Sequence, residues 1–239
     1  MGKTAIRFNK ISKKFIVRHE RQTLVEGVFK RKKQEDFWAL KDIDFSVKVG
    51  ESVGIIGPNG SGKTTLLELI TGITYPTSGE LKVRDRVVSI IGLEAGFHPD
   101  LTGEENIFIN GLLSGMTKLE IESKKKKIIK FADIGGFIDS PLYTYSEGMK
   151  LRLGFSVAVH ADPDILILDE TLSMGDLDFR DKSFNKIMEF YKKNKTIIMV
   201  SHELEIIKVA CERVILLKKG RVVEDGKTRE VLKLVRKGY

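Results

Sequence analysis

A chain of 239 residues can bury roughly 70–75% of the surface its unfolded form exposes, so one domain, or one domain with a subdomain, folds without staples. Its lone cysteine, Cys211, excludes an internal disulfide and suits a reducing cytosol as an ordinary small core residue. The formal net charge of +8 implies an anionic neighbour, with nucleic acid, a membrane leaflet and nucleotide phosphates all qualifying.

The first residues, Met1-Gly2-Lys3-Thr4, contain no apolar run resembling a signal peptide, and no stretch approaches the roughly 18 apolar residues of a spanning helix. A soluble chain is therefore expected. From Ala5 to about Leu93 the signals are mostly those of strands. Ile43 to Lys48 alternates apolar and polar residues, Ser52 to Ile56 is a short apolar strand ending in glycine, and Arg86 to Ile91 is a further strand candidate. From about Leu101 to Asp162 the pattern turns helical. Thr102-Gly103-Glu104-Glu105 and Thr117-Lys118-Leu119-Glu120 carry capping-box spacing ahead of apolar-periodic runs. The Lys124–Lys127 run reads as the solvated face of a helix.

Strand and helix then alternate again: a strand at Asp164–Leu168, a helix near Phe179–Lys192, a strand at Thr196–Val200 and a helix from Glu203. Two short strands near Val214–Lys218 and Arg221–Glu224 precede a last helix that runs toward Lys237. The order predicts an α/β fold: a mostly parallel sheet covered on both faces, with the helical middle as an inserted subdomain.

Gly57-Pro58-Asn59-Gly60-Ser61-Gly62-Lys63-Thr64 fits the pattern G-x-x-x-x-G-K-[ST], with a strand before it and the apolar helix Leu66–Ile70 after it. Glycines let backbone N–H groups converge on phosphate oxygens where a Cβ would obstruct them. The helix beginning near Lys63 adds the positive end of its dipole. Lys63 is placed to reach the β- and γ-phosphates of ATP, the Thr64 hydroxyl to ligate Mg²⁺, and Thr65 extends the binding set. Farther on, Asp164–Leu168 is an apolar strand tipped by Asp169-Glu170, two acids at the strand end where α/β sheets place ligands. Asp169 is the candidate for holding Mg²⁺ through water, and Glu170 the candidate general base that polarises the attacking water.

Tyr145-Ser146-Glu147-Gly148-Met149 opens a helix running to His160, with Ser146 as the cap of an anion-attracting N-terminus. This segment resembles, in variant form, the L-S-G-G-Q signature of the ABC ATPase family, and the resemblance covers essentially the whole chain. It implies a single domain over 1–239: a phosphate-loop core (about 1–92 and 163–239) with an antiparallel β subdomain, and a helical subdomain over about 93–162. It also implies an ATP-sandwich homodimer, in which Ser146, Glu147, Gly148 and Met149 contact the γ-phosphate bound to the opposite subunit. In the same family pattern His202, after Ser201, is the switch histidine that senses the γ-phosphate. Ser173-Met174-Gly175-Asp176 is the interface D-loop. Phe15 stands where an aromatic stacks on adenine, with Trp38 as the alternative.

Three features depart from the commonest pattern: the signature, the D-loop, and the missing Gln before Thr102. Gly92 to His98 stands in the place of that Gln, and Glu94, or Leu93 with a register shift, takes its position as a water-mediated metal contact. Together with Gly96-Phe97-His98-Pro99 and Leu101-Thr102-Gly103, these variants resemble the ATPase subunits of cell-surface polysaccharide exporters, the branch that moves lipid-linked O-antigen, capsule and teichoic acid. The resemblance implies a membrane-spanning permease partner and a peripheral position at the cytoplasmic face of the membrane. It also predicts that the ATPase domain finishes near Gly238-Tyr239, ahead of the carbohydrate-binding domain some members carry.

Between Phe15 and Trp38, Leu24, Val25, Val28 and Phe29 recur at helical spacing, flanked by Lys13, Lys14, Arg18 and Arg21 and by Lys30 to Lys33. A basic amphipathic helix there suits an anionic membrane surface or a lipid-linked glycan. The rival readings are an ABC ATPase serving another substrate or lacking a membrane partner. A nucleic-acid module finds no support, for no zinc-ligand spacing or aromatic RNA-binding motif is present.

Overall fold

The computed structural model describes residues 3–18, 34–168, 176–201 and 204–236. Two sheets organise them. In the first, β1 (Thr4–Arg18) pairs antiparallel with β2 (Gln34–Lys48) on one side and β4 (Ser78–Val83) on the other. The second holds six strands in the order β5 (Val87–Ser89), β6 (Ile165–Leu168), β7 (Thr196–Val200), β3 (Ser52–Ile56), β8 (Arg213–Lys218) and β9 (Arg221–Lys227). All are parallel except β9, which returns antiparallel beside β8.

The apolar runs follow from burial of both faces. Ile165, Ile167, Ile198, Val200, Ile215 and Leu217 face the core shared with the antiparallel sheet and α1 (Lys63–Ile70). Their alternate neighbours Leu166, Leu168, Ile197, Met199, Val214 and Leu216 face the core covered by helices. A period of two with apolar residues on both phases leaves no polar face, as a covered parallel sheet requires.

Neighbouring strands β5 and β6 are joined by the helical segment, which carries α2 (Gly103–Leu113), α3 (Lys118–Ala132) and α4 (Glu147–His160), with short 3-10 turns at Gly135–Asp139 and Leu142–Thr144. Both predicted capping boxes form. The Thr102 and Thr117 hydroxyls each accept from the backbone N–H three residues on, while Glu105 and Glu120 reach back to the cap N–H. Three more helices, α5 (Leu177–Lys192), α6 (Leu204–Ala210) and α7 (Thr228–Arg236), complete the described chain.

Some expectations shift. The strand read at Arg86–Ile91 narrows to Val87–Ser89, because the chain turns from Ile91 and the Ser89 hydroxyl accepts from the Ile91 N–H at 3.1 Å. The alternating run Ile43–Lys48 is the end of a strand that begins at Gln34. Lys13, Lys14 and Arg18, assigned to the flank of a basic helix, belong to β1. The helical face Leu24–Phe29, Arg21 and the lysines beyond lie outside the described residues.

Candidate functional site

Strand β3 is fully buried between β7 and β8, so its C-terminal end emerges at the middle of the sheet. There the chain enters the glycine loop. Gly57, Gly60 and Gly62 have φ of 153°, 72° and 105°. A Cβ on Gly57 would stand 2.2 Å from the carbonyl oxygen of Leu217, and one on Gly62 would stand 2.7 Å from Leu40 Cδ2 and 2.8 Å from the Ala39 carbonyl oxygen. Gly60 has nothing within 4 Å. Two of the three glycines therefore let neighbouring strands close on the loop, and all three need backbone angles that side chains disfavour.

The loop ends in the N-terminus of α1, capped by Gly62 without any side-chain bond, so first-turn N–H groups remain for an outside acceptor. Lys63 is buried and its Nζ donates to the carbonyl oxygens of Gly57 at 2.8 Å and Pro58 at 3.1 Å, curling over the loop. Ser61 Oγ is buried without a hydrogen-bond partner among the described residues. Thr64 is exposed and Thr65 half-buried. Free helix-end donors, an ammonium across the loop and a cradle that Cβ atoms would fill together fit the phosphates of a nucleotide.

Beside the loop lies a cleft of 740 Å³, lined by Asn59 to Thr65, Phe37, Leu93, Leu113 and Gly154. Phe37 is its aromatic wall. Phe15 pairs directly across from Phe37 in the β1–β2 ladder, so both rings share a face, but Phe15 itself does not line the cleft. Trp38, opposite Lys14, is on the other face, with Lys14 Nζ 5.6 Å from its ring centroid. Sequence reasoning missed Phe37, whose signal is only its register against Phe15.

Ser146 caps α4, its hydroxyl accepting from the Met149 N–H at 3.2 Å. Ser146, Glu147 and Gly148 are exposed, Met149 is half-buried, and a Cβ on Gly148 would meet only Ser146 Oγ, at 3.9 Å. The helix end is thus open to an approaching anion. Behind it, Tyr145 is buried and donates to the Phe137 carbonyl oxygen at 2.5 Å, and burial pushes its phenol up to about 12. None of Tyr145 to Met149 lines the cleft beside the phosphate loop. Each chain presents the two halves of the expected site on different surfaces.

Glu147 pairs with Lys150 at 2.7 Å, and that hydrogen-bonded ammonium holds its carboxyl below the usual carboxylate range, with Glu94 a lesser neighbour. Glu94 is exposed in the turn spanning Ile91–Gly96. This turn packs on α4 at Gly154, where a Cβ would come 2.9 Å from Leu93 Cβ and 3.4 Å from Phe97 Cζ. Asn106, fully buried, ties the chain that follows: its amide donates to the carbonyls of His98, Leu101 and Thr102 and accepts from the His98 N–H.

Asp169, Glu170, His202 and Ser173 to Gly175 lie outside the described residues. The strands that lead to them are in place: β6 ends at Leu168 and β7 runs into buried Ser201, parallel to β3 and adjacent across the sheet. Among the described residues no group of three His, Cys, Asp or Glu side chains gathers to hold a metal.

Comparison with known proteins gives one answer. The ABC transporter family matches residues 40–173. An O-antigen export system ATP-binding protein, RfbB of Myxococcus xanthus, is 50% identical over 193 residues, which is 81% of this chain and 44% of that protein. A teichoic acids export ATP-binding protein, TagH of Listeria innocua, is 43% identical over 97% of this chain and 70% of its own length. RfbB of Klebsiella pneumoniae is 39% identical over 96% of both chains. This chain therefore spans less than half of the Myxococcus protein and nearly all of the Klebsiella one. Among solved structures, an ATP-binding subunit of an ABC transporter superposes with a TM-score of 0.75 at 20% identity, covering 97% of this chain and 93% of that one. A dimeric cassette, MJ0796, superposes with a TM-score of 0.71 at 24% identity over 94% and 99%. These likenesses establish the cassette fold.

Proposed function

The chain belongs to the ABC transporter family and is an ATPase of it, and from that premise we propose that it drives an exporter of lipid-linked cell-surface polysaccharide or teichoic acid through a separate membrane subunit. The relatives named for O-antigen and teichoic acid export, at 39–50% identity, favour this substrate class. Peripheral attachment at the cytoplasmic membrane face belongs to the same proposal. Among the described residues no helix is long and apolar enough to cross a membrane.

One observation carries the mechanism: the phosphate loop lines the cleft, while Ser146 and Gly148 stand at an open helix end outside it. A complete site then needs two copies. The loop amides and Lys63 of one copy grip the β- and γ-phosphates, and the α4 terminus of the second closes over the γ-phosphate. The ring of Phe37 lines the cleft as the wall for the purine, with Phe15 beside it on the same face of the β1–β2 ladder. Mg²⁺, when bound, neutralises charge that develops on the phosphates, and Thr64 with Asp169 would hold it. Glu170 takes a proton from the attacking water, with His202 orienting that water. Glu94, exposed in the turn that packs on α4, is in this proposal the water-mediated metal contact.

The test is the dependence of rate on protein concentration. Hydrolysis per subunit should climb as the chain is concentrated, then level off when dimers saturate. Full activity that stays constant down to concentrations where only monomer exists would overturn the shared site.

A further inference from the structure

A cross-link between two surfaces of the proposed dimer face appears in the helices behind them. Arg152 lies six residues beyond Ser146 on α4, and its guanidinium touches three residues on two other helices. Nη1 donates to the carbonyl oxygen of Asp133 at 3.2 Å, at the end of α3. Nη2 pairs with Oδ2 of Asp176, the cap residue of α5. The planar group also lies over the Phe179 ring, 5.6 Å from its centroid. Asp176 uses its other oxygen, Oδ1, to accept from the Phe179 N–H at 2.9 Å, so one carboxylate both caps α5 and binds the arginine.

The ground beneath is aromatic. Phe131 of α3, Phe155 of α4 and Phe179 of α5 meet with centroids 5.7 to 6.1 Å apart, so the guanidinium sits on an aromatic cluster shared by the three helices. Neither Arg152 nor Asp176 lines the phosphate-loop cleft, which removes direct contact with the chain's own nucleotide. What they join is specific. Asp176 closes the Ser173–Asp176 segment that resembles the family's interface loop, and α4 begins with Ser146 and Gly148.

We infer that Arg152 is a positioning residue: it fixes the signature end of α4 against the start of α5, so that both meet the second copy in one register. The inference rests on the two-copy site proposed above. A fork of donors that also stacks on a ring is what arginine supplies and lysine does not. The hydrogen bond that caps α5 and the Arg152 pair both hold the Asp176 carboxyl below its ordinary range, so the link persists at neutral pH.

Arg152→Met keeps the apolar stem and deletes the fork. Asp176→Asn keeps the cap, because asparagine caps as well as aspartate, and deletes the charge. Four properties separate positioning from folding: ATP affinity of the dilute monomer, the ATP-driven dimer fraction, steady-state turnover and the melting temperature. Turnover and dimer fraction should each fall about tenfold in both variants, own-site affinity should stay within about twofold, and the double variant should be no worse than Arg152→Met. Arg152→Lys should recover only part of the loss. Wild-type turnover in Arg152→Met, effects that multiply in the double variant, or losses that track melting temperature and monomer affinity would overturn the inference. If Arg152→Met melts early, Asp176→Asn decides. Wild-type protein that never dimerises with ATP would instead overturn the two-copy reading itself.

Discussion

Gly62→Ala probes the cradle most sharply, and Gly60→Ala is its internal control. Both glycines lie at positive φ, 105° and 72°, where an L side chain costs about 1–2 kcal/mol. Only Gly62 adds a collision. Its Cβ would meet the Ala39 carbonyl oxygen at 2.8 Å and Leu40 Cδ2 at 2.7 Å, and the first of these is backbone held in β2, which cannot rotate away. Overpacking of that kind adds about 1–3 kcal/mol. The sum for Gly62→Ala is therefore about 2–5 kcal/mol, against about 1–2 for Gly60→Ala. The loss can appear in two places. If the loop keeps its shape, stability falls; if it relaxes outward, ATP affinity falls by roughly 30-fold to several thousand-fold. Urea unfolding without nucleotide and calorimetric ATP binding, measured on both variants, give the two parts. Their total should be larger for Gly62→Ala by at least about 1 kcal/mol. Equal totals for the two variants would refute the claim that β2 closes directly on the loop.

Ser146→Ala removes the α4 cap and should lower stability by about 1 kcal/mol in urea unfolding, while abolishing ATP-driven dimerisation. An unchanged dimer fraction in gel filtration with ATP would remove Ser146 from the shared site. Asn106→Ala takes the acceptor from the His98 N–H, while the carbonyls of His98, Leu101 and Thr102 keep their backbone donors, and should cost about 1–3 kcal/mol by the same unfolding measurement. Burial lowers the His160 imidazole below its ordinary value, so the folded chain resists a proton that the unfolded chain accepts near pH 6.5. Its contribution is present above that pH and is lost as pH falls through the lower folded value. The stability advantage of wild type over His160→Gln should hence shrink as acid is added, and a difference that grows would contradict this burial.

Much of the fold was legible because local signals and global topology agree. The two Thr-to-Glu capping boxes were visible as four-residue spacings, and both form the reciprocal bonds that the spacing demands. The apolar runs Ser52–Ile56, Asp164–Leu168 and Thr196–Val200 marked central strands, since only a strand covered on both faces carries apolar residues on both phases. The first sheet was harder. Nothing local announces that β4 pairs with β1, because that contact joins residues more than sixty positions apart and passes a bulge near Lys10, whose φ is 49°. Site residues divide in the same way. Lys63 belongs to a contiguous motif, whereas Phe37, Arg152 and Asn106 matter through cross-strand register, an ion pair between helices and a buried amide, none of which leaves a periodic trace. Gly154 is of the same kind: its reason is the Leu93 turn that packs on it, a contact that lies far off in the sequence.

The helical segment leaves the sheet after β5 and returns at β6, two strands that lie side by side, with the Asp164 N–H bonded to the Arg86 carbonyl at 2.9 Å. Its two anchors are thus nearly coincident, like the pin of a crank. The fourteen residues of α4 run about 21 Å from that pin to Ser146. A tilt of about 10° at the pin would swing the serine by roughly 4 Å, more than the length of a hydrogen bond. Small pushes on the turn seated at Gly154 would then be magnified at the far end of the arm, where engagement with a neighbouring triphosphate is made or lost.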